Sequence, residues 1–284
     1  MDHDLIDIDH LMCGVDDPQQ AGAAFERLGF TVTPLSVIAP MGLGNRCVLF
    51  RDAAPGGANY LELMGILDAA KVPPVMQQTL AGSQGIKSSV LSCRDADACH
   101  AALQSGGYAP PTPPIHMSRQ WQLGDRVVEP AFAVLLPMAA PLTFNVAQHK
   151  TPQLYLDPDW TRHANTAAGV RYVMAAAEQP HAAADFFARL FGSQPRTMAP
   201  DRLEVPGVRT HLRVATAAAW TSALGRRVPA SEQPRYLGFG IAVDDLQACA
   251  GSLRQSGVGF TAAGPRLLVE PQDACGNLVV FEGG

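Results

Sequence analysis

The chain has 284 residues, 47% hydrophobic and 17% charged, with a formal net charge of −5. That is enough chain for a sizeable core, in one large domain or two ordinary ones. The acidic balance excludes the basic footprint of a nucleic-acid binder or of a protein drawn to an anionic membrane, and no apolar run approaches the roughly 20 residues of a membrane-spanning helix. The N-terminus carries Asp2, Asp4, Asp7 and Asp9, the opposite of a secretory leader's basic start. The cysteines (Cys13, Cys47, Cys93, Cys99, Cys249 and Cys275) form no C-x-x-C pair. We therefore expect a reduced, cytoplasmic protein without disulfides, with no nucleic-acid or membrane partner.

In chain order, Asp7 to Gly14 reads as a strand that places His10 in an apolar run. Gly14 to Pro18 makes a turn. Ala21, Ala24, Phe25 and Leu28 then recur at the spacing of a helix with one buried face. Strand patterns follow over Phe30 to Ile38, Cys47 to Arg51 and Tyr60 to Met64. Leu67 to Gln84, with Pro73-Pro74, reads as a linker.

The opening pattern then recurs. Ile86 to Cys93 is a strand, Asp95 opens a helix, and Phe132 to Leu136 and Leu142 to Val146 are strands. A third copy runs as a strand over Val170 to Ala177, a helix over Pro180 to Phe191, and strands over Leu203 to Val205 and Leu212 to Val214. A fourth has Leu237 to Val243, a helix over Asp245 to Gln255, and strands over Leu267 to Val269 and Leu278 to Phe281. Asp17-Pro18, Asp95-Ala96, Gln179-Pro180 and Asp244-Asp245 supply an N-cap, first-turn Pro or acid where each helix should begin.

A fixed repeat is a strong organisational signal. Each unit reads strand–helix–strand–strand–strand, an α+β fold with four tandem βαβββ modules. A sheet with a helix on one face must bury its other face, most cheaply against a sister unit. Paired sheets would leave a cup between them, a favoured place for ligands. We expect two cup-shaped half-barrel domains: residues 1–150 (modules 1–66 and 85–149), a linker over 151–169, and residues 170–284 (modules 170–216 and 235–284). The residues leave open whether the first module pairs with the second or the fourth.

Five stretches carry a family likeness: Asp9 to Pro18 (DHLMCGVDDP), Phe25 to Thr33 (FERLGFTVT), Gly42 to Arg46 (GLGNR), Asn59 to Leu63 (NYLEL) and Asp273 to Glu282 (DACGNLVVFE). They resemble the glyoxalase-like branch of the vicinal oxygen chelate superfamily, strongly in the first and last modules. The resemblance implies paired βαβββ modules. It also implies, in many members, a divalent metal held by a first-strand and a last-strand residue from each of two modules. Such members run isomerisation, ring-cleaving dioxygenation, epimerisation or thiol transfer; others bind drugs or peptides without metal. His10 matches the family's first-strand ligand and Glu62 its last-strand ligand. The equivalent of His10 is Ser88 in the second module, Tyr172 in the third and Gly238 in the fourth, so the family's four-ligand set is incomplete.

Alternation along Tyr60 to Met64 puts Tyr60, Glu62 and Met64 on one face and Leu61 and Leu63 on the helix-packed face. Glu62 then points into the cup, where a carboxylate must be paired, hydrogen-bonded or metal-bound. His149, at the end of the second module, is the expected third ligand beside His10 and Glu62, with Gln148 and His163 behind it. Two His and one Glu suit Fe, Mn or Zn. The competing reading has no metal, with His10 hydrogen-bonded and Glu62 neutralised by Arg46. Arg46 could instead grip a substrate carboxylate in a bidentate fork, with Asn45, Tyr60 and His163 beside it.

The catalytic set is then Glu62, Arg46 and His149. The expected function is a glyoxalase- or dioxygenase-like enzyme acting on a carbonyl, enol or catechol-like substrate, metal-dependent or with Glu62 as base. A metal-free binder of a small aromatic or acidic ligand is the alternative, a structural dimerisation module a third. A homodimer fits any of these.

Overall fold

The computed structural model describes residues 3–284, so Asp2 of the acidic N-terminus lies outside the described residues. The first module comprises β1 (Leu5–Gly14), α1 (Pro18–Arg27), β2 (Ser36–Ile38), β3 (Leu43–Leu49) and β4 (Tyr60–Ile66). A short helix, α2 (Pro74–Leu80), leads to the second module: β5 (Gly85–Cys93), α3 (Ala96–Ser105), β6 (Ile115–Ser118), the hairpin β7 (Trp121–Leu123) and β8 (Arg126–Val128), β9 (Ala131–Met138) and β10 (Phe144–His149). The third has β11 (Ala167–Ala176), α4 (Pro180–Phe191), β12 (Arg196–Ala199), β13 (Arg202–Val205) and β14 (His211–Ala215). After α5 (Ala217–Leu224) come β15 (Arg235–Val243), α6 (Leu246–Gln255), β16 (Thr261–Ala262), β17 (Arg266–Val269) and β18 (Leu278–Gly283).

The strands form two curled eight-stranded sheets, ordered β2-β3-β4-β1-β5-β10-β9-β6 and β12-β13-β14-β11-β15-β18-β17-β16. The first module thus pairs with the second, through the antiparallel β1–β5 ladder, and the third with the fourth. The ladder sets His10 opposite Val90 and Met12 opposite Ser88. A local twofold therefore relates His10 to Ser88. In the second sheet, Tyr172 faces Gly240 and Met174 faces Gly238, the same relation.

The helices start where their caps dictate. The Asp17 carboxylate accepts from the backbone N–H of Gln19 and Gln20, and those of Asp95 and Asp245 do the same for their helices. Phe25, Leu103, Phe187 and Leu253, one from each module helix, bury into one continuous core shared by the helix-bearing faces of both sheets. Leu61 and Leu63 enter that core, while Met12 and Met64 belong to a separate cluster in the first cup. Contacts such as the Phe30–Phe281 ring pair and the Asn59 side chain bonded to the backbone of Val170 join the halves.

Several stretches depart from expectation. Only Ser36–Ile38 of the strand expected over 30–38 joins a ladder. Pro34 lacks an N–H and breaks the pairing. The linker holds a helix because Pro74 sits in its first turn, where no N–H is needed. The Ala-rich run after residue 216 forms α5, and residues 121–128 form a hairpin; neither was anticipated. The strand expected over 142–146 runs instead over Phe144–His149. Among the described residues, no helix is long and apolar enough to cross a membrane.

We predict that Asp17→Ala costs about 1 kcal/mol of stability, and Phe25→Ala about 3–5 kcal/mol. Urea denaturation of the two variants checks both.

Candidate functional site

The concave face of the first sheet lines a cavity with His10, Tyr60, Glu62, Asn145, His149, Arg119 and Tyr155 among mostly apolar walls, including Met12, Met41, Met64 and Met76. The space in it open to the centre of a water molecule is about 70 Å³. One water needs about 10–15 Å³, so the cavity takes several waters or one small organic molecule.

The centre of the site is a carboxylate. Between Ile8 and His10 the β1–β5 register shifts, so that β1 advances two residues while β5 advances one. The extra residue is Asp9. Such a bulge re-aims a side chain, and Asp9 reaches both imidazoles instead of alternating away from His10. Its Oδ1 lies 2.7 Å from His10 Nδ1 and 2.8 Å from His149 Nε2, and its Oδ2 accepts the Ala58 N–H at 2.7 Å. Burial pushes the Asp9 carboxyl up, but charge and hydrogen bonds from His149 and His10 outweigh it and hold the group well below its ordinary range. An ionised carboxylate only accepts. Both imidazoles therefore present N–H to it, which leaves His10 Nε2 and His149 Nδ1 as the outward atoms.

His10 Nε2 lies 3.2 Å from the Tyr60 hydroxyl and 3.7 Å from Glu62 Oε2, with the Tyr60 ring stacked on the imidazole. Burial opposes the charged imidazole, yet Asp9 and Glu62 more than compensate and raise His10 above its usual value. Glu62 shows the converse. Burial raises it, while His10, Arg119 and Asn45 pull it below the ordinary carboxylate value. Asn45 supplies its Nδ2–H to Glu62 Oε1 at 2.6 Å. His149 Nδ1 is buried and has no hydrogen-bond partner among the described residues.

The expected ligand triad is rearranged. His10, Glu62 and His149 all line the cavity, but the donor atoms that lie within 4.8 Å of one another belong to Asp9, His10 and His149. Glu62 faces His10 alone. The donor types suit a divalent ion. Asp9 bonds to one nitrogen of each imidazole, and the orphaned His149 Nδ1 is the kind of atom a ligand would satisfy.

Two expected residues lie elsewhere. Arg46 does not enter the cup or meet Glu62. Strand alternation sends it to the helix side, where it bonds to the carbonyls of Thr33 and Val32 and to Glu26 of α1, and lies against Gly22. A Cβ at Gly22 would collide with the Arg46 guanidinium. So held, Arg46 reaches neither a substrate carboxylate nor a catalytic group in the cup. His163 does not line the cup either: its Nδ1 accepts from the Thr31 N–H, its Nε2 lies 2.9 Å from the Leu49 carbonyl, and its ring packs on Phe30 and Phe50. Burial lowers its imidazole to about 4. Sequence reasoning passed over Asp9, Asn145, Arg119 and Tyr155. Asp9 had a signal, an acid beside a histidine within an apolar strand.

The local twofold reproduces the pair in neutral form: Ser88 Oγ, at the position of His10, donates to Asn145 Oδ1 at 2.6 Å. In the second sheet Tyr172 occupies the position of His10. Arg213 stands opposite Met174 as Glu62 stands opposite Met12. The guanidinium lies 3.6 Å from the Tyr172 ring centre, Tyr172 donates to Glu282, and Trp220 and Leu224 of α5 pack into this cup.

A family model described as a glyoxalase-like domain matches residues 8–191, more than half of the chain. The chain belongs to that family. Its paired βαβββ architecture is that of the vicinal oxygen chelate superfamily. Among solved structures, a hypothetical protein from Staphylococcus aureus superposes with a TM-score of 0.67 at 12% identity, covering 97% of this chain and 98% of that one. A mutant of 4-hydroxymandelate synthase from Streptomyces coelicolor gives 0.63 at 13% identity, covering 98% and 92%. A xylose isomerase-like TIM barrel/4-hydroxyphenylpyruvate dioxygenase fusion protein gives 0.61 at 10% identity, with 98% of this chain on 49% of that one. At these identities the likeness is one of fold. Comparison with curated proteins yields no match.

Two expectations follow. In chelator-treated protein, His10 has its value raised above 6.5 on folding, so its contribution is complete below about pH 6.5 and is lost as pH rises through the raised value. Glu62, lowered from 4.5, contributes above about pH 4.5 and loses that as pH falls through its lowered value. The stability difference between wild type and His10→Gln, from urea melts across pH, should peak between these limits and shrink on both sides. Arg46→Met should lower stability and leave ligand binding in the cup unchanged by calorimetry.

Proposed function

We propose that this glyoxalase-like protein is a small-molecule enzyme that moves a proton on a carbonyl, enol or catechol-like substrate held in the first cup. The observation that carries this reading is the Asp9 carboxylate, which bonds to one nitrogen of each of two imidazoles that line the same cavity.

The two imidazoles are set up differently. His10 sits between two acids that favour its protonated form, so it can donate from Nε2 to a substrate oxygen as negative charge develops there. His149 presents an unpartnered Nδ1 while Nε2 is held by Asp9, and can accept a proton. Glu62, kept below its ordinary value, is a weak base; its role is to hold positive charge beside it. The apolar walls exclude water and strengthen these interactions.

A divalent ion, if bound, would be held by Asp9, His10 and His149, whose donor atoms lie within 4.8 Å of one another, and would supply Lewis-acid stabilisation of vicinal oxygens. Binding would displace the His10 proton, so affinity would rise with pH. The second reading, a metal-free binder, draws on the apolar share of the cavity wall.

Solvent-deuterium exchange at the α-carbon of a panel of small carbonyl compounds, followed by NMR, tests the proposal. We expect wild-type protein to catalyse exchange, and His10→Gln and His149→Gln each to lose roughly 100-fold or more. Elemental analysis of protein purified without chelator, with His10→Ala as control, decides the metal. Ligand-induced thermal shifts with no exchange on any compound would leave only the binder.

A further inference from the structure

Arg119 follows β6 and precedes β7, and it lines both the cup cavity and an outer groove that runs past residues 35–40. β2 and β6 are the two free edges of the first sheet. The groove is thus the seam where the curled sheet does not close, and Arg119 stands at the mouth. Its guanidinium carbon lies 5.4 Å from the Trp121 ring centre and 5.6 Å from that of Phe132. Aromatic neighbours of this kind hold a guanidinium plane in place.

What this cation lacks is an anion. Its Nε is buried with no hydrogen-bond partner, and among the described residues no carboxylate forms an ion pair with it. Glu62, whose charge it feels, is bonded to Asn45 and faces His10 instead. A partly buried, oriented guanidinium with free donors is an arrangement completed by a ligand's charge.

We propose that Arg119 anchors the carboxylate of a small organic acid, whose apolar body lies along Met117, Phe132, Val134 and Leu136 and whose other end reaches His10 and Glu62. This rests on the reading of the cup as a substrate site and names the substrate class. The planar fork matches a carboxylate. A phosphate dianion fits poorly, because one guanidinium would have to balance it in a cavity already facing Glu62.

The test is calorimetric binding to the protein as purified, with phenylacetate and hexanoate as probes, each against its neutral amide. We expect the acids to bind roughly tenfold or more tightly than the amides, the scale of one charge-assisted hydrogen bond. Arg119→Gln should abolish that preference, Arg119→Lys keep part of it, and Arg46→Met, outside the cup, keep it in full. Should Arg119→Gln fail to fold, the acid-against-amide comparison in wild type and Arg119→Lys still decides. Equal binding of acid and amide, an acid preference that survives Arg119→Gln, tighter binding of phenyl phosphate than of phenylacetate, or no binding of either acid at millimolar concentration overturns the proposal. Deuterium exchange separates it from the enzymatic reading. Acid preference without exchange leaves the anchor and removes the enzyme; exchange on neutral carbonyls without acid preference does the reverse.

Discussion

The site depends on keeping one carboxylate charged where water does not reach. Asp9 is almost completely buried, and an isolated ionised carboxylate in such a place would neutralise itself. It stays ionised because two imidazoles and a backbone N–H converge on its two oxygens. Removing one partner from a buried charged network of this kind costs about 3–5 kcal/mol. The histidines therefore serve the fold and the site together. The carboxylate fixes which nitrogen of each ring carries hydrogen toward it, and so which nitrogen is left for other partners.

The β-bulge makes this possible. In a regular strand Asp9 and His10 would project to opposite faces, the acid into the helix-packed core and the imidazole into the cup. One extra residue in the ladder brings them together. His149 arrives from β10, three strands along from the β4 that carries Tyr60 and Glu62, with β1 and β5 between them. Pairing of the first two modules is thus a condition for the site. The second sheet shows the same scaffold without that chemistry. Arg213 takes the place of Glu62, Tyr172 that of His10, and α5 contributes Trp220 to the cup's interior.

Much of the fold was legible because local chemistry repeats. Asp17, Asp95 and Asp245 each cap a helix at the same point of a module. Leu61 and Leu63 alternate with Glu62, and that period told which way the carboxylate faces. His10, Glu62 and His149 were visible as ionisable groups in apolar strands, and all three line the cavity. Arg46 was misread because Glu62 was its obvious counter-charge in the sequence. One strand over, alternation turns it to α1, and Asn45 takes the carboxylate instead.

By itself the sequence determined the modules, their helix starts, the face on which Glu62 lies, and the register that places Ser88, Tyr172 and Gly238 where His10 has its counterparts. These are properties of periods and caps, which act over a few residues. Only the tertiary structure decided which modules share a cup, that Asp9 turns toward His10, and that the unpaired cation at the mouth is Arg119. Such outcomes rest on a ladder shift and on strands distant in the chain closing round one space, and no local pattern encodes them.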